Sequence, residues 1–112
     1  MKSYYIYILK CNDNSYYTGC TDDLARRLNE HSIPYRKENG VLSYVGKRLP
    51  YALMFAEEFS ELYEALIAER MIKGWPRKKK EALIKEGIDA VVGMWREQIK
   101  KRCIAQPFDS AA

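Results

Sequence analysis

The chain is poor in the residues that build metal cages and disulfide frameworks. It holds three cysteines, Cys11, Cys20 and Cys103, and one histidine, His31, in 112 residues. An odd cysteine count without a CxxC pair excludes a disulfide scaffold and leaves no ligand set for a closed zinc site. The three read as isolated thiols of a reducing compartment. No apolar run approaches the ~18 residues of a membrane span. Met1-Lys2-Ser3-Tyr4-Tyr5 lacks the apolar core and small-residue cleavage site of a secretion signal. Six glycines and four prolines are too few for a collagen-like or low-complexity chain, and 47% hydrophobic residues are too many for a disordered one. By elimination, the expectation is one soluble cytoplasmic domain with no membrane partner, long enough to bury a core unaided. A net charge of +4 does not by itself separate a nucleic-acid binder from an ordinary basic protein.

What is abundant is tyrosine, and it is concentrated: five of nine lie within the first 17 positions. Tyr4-Tyr5-Ile6-Tyr7-Ile8-Leu9 is too short for a helix and reads as a strand. Asn12-Asp13-Asn14 is a turn cluster, and Ser15 to Gly19 reads as a second strand, which makes an N-terminal hairpin. Thr21-Asp22-Asp23 offers an N-cap and two carboxylates for the first turn of a helix over about 22–31, with Leu24 and Leu28 as its apolar stripe. From Ser32 to Leu49 periodicity fails apart from a possible short strand at Val41–Tyr44, and a stretch of this kind is more often functional than idle. Tyr51 to Ala56 is a third strand. Ser60 is placed to cap a helix running through Ile72, and Pro76 opens another, Arg77 to Lys85, which Gly87 ends. A last helix spans Ile88 to Cys103. The order β-β-α-β-α-α-α predicts an α+β domain over 1–87, a small mostly antiparallel sheet flanked by helices. Residues 88–112 are a C-terminal helix and tail packed on it.

Strand alternation places Tyr5, Tyr7 and Leu9 on one face. With a three-residue loop, Leu9 opposes Tyr17 and Tyr7 opposes Gly19. Gly19 then leaves an empty patch beside the Tyr7 hydroxyl, with room for a water or a phosphate; equally, the rings are simply core. Asp23, Arg27 and His31 stack along one helix face. They are either a surface Asp23–Arg27 ion pair with an exposed histidine, or a phosphate clamp with a titratable neighbour. Glu69 falls between Ala65 and the pair Leu62 and Leu66, so its carboxylate is partly buried and needs a partner. Lys73 or a magnesium ion would serve. Arg70, Lys73, Arg77, Lys78, Lys79 and Lys80 crowd one segment around Trp75. Arg36, Lys37, Lys47 and Arg48 lie beside Tyr35 and Tyr44. Cations interleaved with aromatic rings suit a phosphodiester backbone with accessible bases.

Tyr5-Ile6-Tyr7, Tyr17-Thr18-Gly19, Arg27 ten residues after Tyr17, His31 four later, and Glu69 within Ala68-Glu69-Arg70-Met71-Ile72-Lys73 together resemble the GIY-YIG nuclease family. Tyr44-Val45-Gly46-Lys47-Arg48-Leu49-Pro50 is similar to its small single-domain bacterial members. The resemblance covers about residues 3–85, roughly three-quarters of the chain. It implies a three-stranded antiparallel sheet flanked by helices, and metal-dependent endonucleolytic hydrolysis of DNA, with RNA also open as a partner.

In that reading Glu69 holds one Mg²⁺ (or Mn²⁺) that polarises the scissile phosphate. Arg27 neutralises transition-state charge. Tyr7 or Tyr17 positions or deprotonates the attacking water, and His31 accepts the proton. Arg36, Lys37, Lys47, Arg48, Lys73, Arg77, Lys78, Lys79 and Lys80 contact the nucleic acid.

The chain departs from the family pattern at Tyr5 and Thr18. Cys20 stands where some branches, the excision-repair endonuclease among them, carry a lysine, which shifts weight to His31. No asparagine follows Asn39, and no second DNA-binding domain is read in the chain, so the expectation is turnover that is slow, nonspecific or dependent on a targeting protein partner. The alternative is a nucleic-acid-binding module of the same fold with little cleavage, but such a module has no use for Glu69, because a carboxylate beside a phosphate weakens binding unless a cation lies between them. A protein-interaction domain built on the helix from Ile88 is a third reading, in which neither salt nor Mg²⁺ matters.

Overall fold

The computed structural model describes residues 2–87, so the expected helix over 88–103 and the tail lie outside the described residues. The unbroken hydrophobic run at the N-terminus is β1, Tyr4–Lys10. It lacks polar alternation because it is the middle strand of a three-stranded antiparallel sheet and is covered on both faces. β2 (Tyr16–Thr21) flanks it on one side. Cys11 N–H donates to the Ser15 carbonyl at 2.9 Å across the turn, and Asn14 takes a left-handed φ of 70° that asparagine tolerates. The resulting register pairs Tyr7 with Gly19 and Leu9 with Tyr17, as the three-residue loop requires.

α1 (Leu24–His31) follows β2. Its N-cap is Asp23, whose Oδ1 accepts from Arg26 N–H at 3.1 Å, while Thr21 Oγ1 accepts from Asp23 N–H. The two expected first-turn carboxylates are therefore the cap and the residue before it, and the first turn itself carries no acid.

The irregular stretch after α1 contains a small separate hairpin, β3 (Lys37–Glu38) and β4 (Val41–Leu42). Asn39 and Gly40 both have positive φ, 51° and 80°, the backbone of a tight two-residue turn. The expected strand at Val41–Tyr44 stops at Leu42 because residues 44–47 turn back toward the sheet. β5 (Ala52–Phe59) pairs with the other side of β1 and runs three residues past the expected end, since an edge strand tolerates Glu57 and Glu58.

α2 spans Leu62–Lys73. Ser60 does not cap it; Glu61 takes the N-cap position and makes no side-chain cap bond. Residues 77–87 are helical (α3), and the Pro76 carbonyl accepts from the Lys79 and Lys80 amides. Gly87 has φ 81°, the left-handed conformation a glycine adopts where a helix closes.

The helices divide the sheet into two chemical sides. On one, Ile6 and Ile8 pack with Phe59, Ala65, Ala68, Ile72 and Leu83 under α2 and α3. On the other, Tyr7 and Leu9 pack with Cys11 and Val45, edged by Leu24 and Leu28 of α1 and by Tyr17 and Tyr51. Gly19 sits on this second side, and the patch beside it is not empty. The Tyr7 ring lies directly over it, and a Cβ there would fall on the phenol's hydroxyl end.

Gly19→Ala therefore forces a buried ring to move. A loss of about 2 kcal/mol is expected from such overpacking. Urea unfolding should show a lower midpoint with unchanged slope, whereas an unchanged midpoint would mean that the ring has room.

Candidate active site

Strand alternation turns Tyr7 toward α1, and α1 ends on His31, so the helix carries the imidazole back over the sheet. Tyr7 Oη lies 2.8 Å from His31 Nε2, and each residue is 1% exposed. Tyr17 stands edge-on to His31 with ring centroids 5.0 Å apart, and Tyr51 covers another edge at 6.5 Å. The Tyr51 hydroxyl donates to the Leu28 carbonyl at 2.8 Å, which ties the end of α1 to the start of β5. The exposed histidine of the surface-pair reading is thus overturned: His31 is core.

Burial governs the titration of both groups. It pushes the His31 imidazolium down to about 4, with the adjacent Arg27 charge adding to the effect. It pushes the Tyr7 phenol well above its ordinary value, with Tyr17 contributing and Arg27 opposing. At neutral pH the pair is a neutral hydrogen bond. A neutral imidazole that accepts at Nε2 carries its proton on Nδ1, which is buried and has no hydrogen-bond partner.

Arg27 does not pair with Asp23, which is occupied in capping. Its Nη1 binds Glu38 Oε1 at 2.8 Å and Glu30 Oε1 at 3.1 Å. Arg36 reaches the same two carboxylates, Glu30 Oε2 at 3.6 Å and Glu38 Oε1. Two arginines and two glutamates thus form one closed quartet beside the Tyr7–His31 pair. Burial disfavours the Arg27 charge, but the hydrogen bonds it donates to Glu38, Glu30 and Tyr7 outweigh it and hold the guanidinium more firmly protonated than usual. Arg27 in turn holds the Glu38 carboxyl below its ordinary range.

Glu69 lies on the other side of the sheet, on α2. It is 20% exposed, flanked by buried Ala65 and Ala68, and loosely paired with Lys73 at 3.6 Å. Cys20 lies on β2. Its thiol is raised by burial and then by the Glu69 carboxylate, and it packs on the α2 side of the sheet, opposite Ile6. Because β2 is an edge strand, a groove wraps around it, lined by Cys20, Arg27 and Glu30 on one bank and Leu62 and Leu66 on the other. A neutral thiol at Cys20 supplies no positive charge to either tyrosine.

Several basic residues are held by aromatic rings. Arg77 lies over Tyr16 at 4.1 Å, Lys79 over Trp75 at 4.3 Å, and Arg48 over Tyr44 at 3.6 Å. Arg48 also binds Asp13 at 3.0 Å, and Arg77 binds Glu81 at 3.5 Å. Burial, then the charges of Arg77 and Lys73, lower the Lys80 ammonium. Among the described residues, Lys37, Lys47 and Lys78 are exposed and form no ion pair. Sequence reasoning missed Glu30, Glu38 and Tyr51. Glu30 was findable, one helical turn from Arg27; Glu38 and Tyr51 arrive through tertiary folding and left no periodic signal.

The family model described as the GIY-YIG catalytic domain matches residues 3–82. The UPF0213 protein YazA of Bacillus subtilis is 40% identical over 84 residues, 75% of this chain and 80% of that protein. The UPF0213 protein RBAM_000440 of Bacillus velezensis is 43% identical over the same shares. The solution NMR structure of the protein EF2693 from E. faecalis is similar with a TM-score of 0.53 and 36% identity, covering 76% of this chain and 85% of that one.

The buried imidazole has a pH signature. The unfolded chain takes up this proton near pH ~6.5 and the folded chain only at about 4, so between these values the unfolded state binds more protons. Stability is therefore full above the higher value and falls as pH drops through the window, by roughly 3 kcal/mol. The His31 ring protons should titrate well below the ordinary range by NMR, and His31→Gln should flatten that part of the stability profile. A midpoint near the ordinary value would refute the buried neutral form.

Proposed function

This chain belongs to the GIY-YIG catalytic domain family, and on that premise we propose that it is a metal-dependent endonuclease acting on DNA phosphodiesters, structure-selective or weakly specific. The observation that carries the reading is the buried Tyr7–His31 hydrogen bond set against Arg27. A tyrosine and a neutral histidine in the interior, beside a guanidinium, form a proton path next to an anion site.

Glu69 suits a divalent cation. It is one carboxylate on a rigid helix, half withdrawn from water and only loosely paired, which matches the habit of Mg²⁺ of keeping water and substrate oxygens as its other ligands. Such an ion would polarise the phosphate and stabilise the leaving oxygen. Arg27 would neutralise the non-bridging oxygens with its planar fork.

The raised Tyr7 phenol argues against a free tyrosinate. It does not argue against a relay in which Tyr7 Oη takes a proton from water while passing its own to His31 Nε2. Charge then moves from water to imidazole without a buried phenolate. The nearby anionic phosphate would raise the proton affinity of His31 as the step proceeds. Tyr17, less buried, edge-on to His31 and stacked on Tyr44, would hold the imidazole in place. Arg48, Arg77 and Lys79, pinned on rings, and Lys37, Lys47, Lys73, Lys78 and Lys80 would track the backbone.

The test uses labelled single-stranded, duplex, flap and four-way DNA with Mg²⁺, Mn²⁺ or EDTA. Cleavage should require the metal and be lost in Glu69→Gln, and Arg27→Ala should lower the rate by roughly a hundredfold or more. Salt-sensitive binding without cutting would instead establish a binding module, with Glu69 serving as the ion-pair partner of Lys73.

A further inference from the structure

Glu30 and Glu38 hold the arginine quartet in different ways. Glu30 sits on α1, one turn from Arg27, and spreads its two oxygens between the arginines, Oε1 to Arg27 and Oε2 to Arg36. It fixes the guanidinium groups side by side. Glu38 brings a single oxygen, Oε1, to Nη1 of both arginines. One anionic oxygen shared by two guanidinium groups is the arrangement a non-bridging phosphate oxygen would adopt.

Glu38 is also attached differently. It lies on the two-residue hairpin β3–β4, which pairs only with itself and does not join the main sheet. Two-stranded hairpins of this size are marginal in water. The outer residues Val41 and Leu42 are exposed, and at its base Tyr35 holds a left-handed φ of 54°, a conformation an aromatic residue takes only at a cost. The firm carboxylate is thus on the helix, and the displaceable one is on the hairpin.

We propose that Arg27 and Arg36 together form the phosphate subsite, and that Glu38 occupies it in the free protein as a resident anion which an incoming phosphodiester displaces. The inference rests on the nuclease reading for its substrate class but concerns binding alone. Exchange of one negative group for another keeps the quartet neutral, with Glu30 as the fixed counter-charge. Without Glu38 the two arginines carry one uncompensated positive charge beside Glu30. Binding of DNA by the native chain is then reduced by the fraction of molecules in which Glu38 holds the subsite. Arg36 becomes a phosphate ligand of the same rank as Arg27, and the hairpin becomes the element that sets access.

The experiment measures binding of a fluorescein-labelled single-stranded oligonucleotide in EDTA by anisotropy, at several salt concentrations. Glu38→Gln should bind about tenfold tighter than wild type. Glu58→Gln, with the same charge change on β5, the opposite edge strand, should gain little. The gain should vanish in Glu38→Gln combined with Arg36→Gln. Should Glu38→Gln fail to fold, Glu38→Asp, which withdraws the oxygen and keeps the charge, should show a smaller gain in the same direction. Equal gains in the Glu38 and Glu58 variants, or no binding by any of them, would overturn the subsite. Cleavage by wild type alongside equal gains leaves the nuclease reading standing and removes this one. A Glu38-specific gain without any cleavage leaves the subsite and removes the nuclease.

Discussion

A tyrosine hydroxyl cannot be left unpaired inside a protein without a cost of about 1–3 kcal/mol, and Tyr7 on the central strand is buried. β1 is covered on both faces and flanked on both edges. The ring must lie flat over the neighbouring strand, which is why residue 19 has no side chain. Its hydroxyl must find a partner within the second layer, and His31 at the end of α1 supplies it. Tyr17 and Tyr51 pack around the same imidazole. Burial at this position, with the Arg27 charge beside it, keeps the histidine neutral under ordinary conditions.

Among the described residues the sheet has three strands, and this decides how chemistry from its two sides can meet. Tyr7, His31 and Arg27 belong to the α1 side, Glu69 to the α2 side. In a wider sheet these groups would be separated by intervening strands. Here β2 is at once the partner of β1 and the edge, so a groove can pass around it from Arg27 to α2. Cys20, on that edge, lies on the α2 side with Glu69 and lines the same groove as Arg27.

Charge near the site is arranged to be spent locally. Arg27 and Arg36 are matched by Glu30 and Glu38, so the most buried cations present no net field to solvent. The outward field comes from exposed lysines such as Lys37, Lys47 and Lys78 and from Lys79 on the Trp75 ring. Arg48 and Arg77, laid on tyrosine rings, also pair with Asp13 and Glu81. A ring face holds an arginine or lysine at low conformational cost and leaves its outer donors available. The modest net charge of the chain therefore conceals two populations, one internally compensated and one facing outward.

Local pattern carried much of this. The β1 run, the Asn12–Asn14 turn and the Leu24–Leu28 stripe each encode their element through nearest-neighbour physics, and the Tyr7–Gly19 register follows from loop length alone. Periodicity placed Glu69 on a half-apolar face, and its partner Lys73 one turn away. Three features were settled only by the tertiary fold. The patch over Gly19 is filled, because a glycine opposite a tyrosine invites the ring as readily as a ligand. His31 is buried, because exposure at a helix end depends on what the helix packs against. Arg27 is bound by Glu38, eleven residues on, rather than by Asp23, because Asp23 satisfies the orphan amide of the helix start and a hairpin delivers the competing carboxylate. Sequence determines which side chains can lie on one face of an element; only packing decides which face meets which, and therefore which charges become partners.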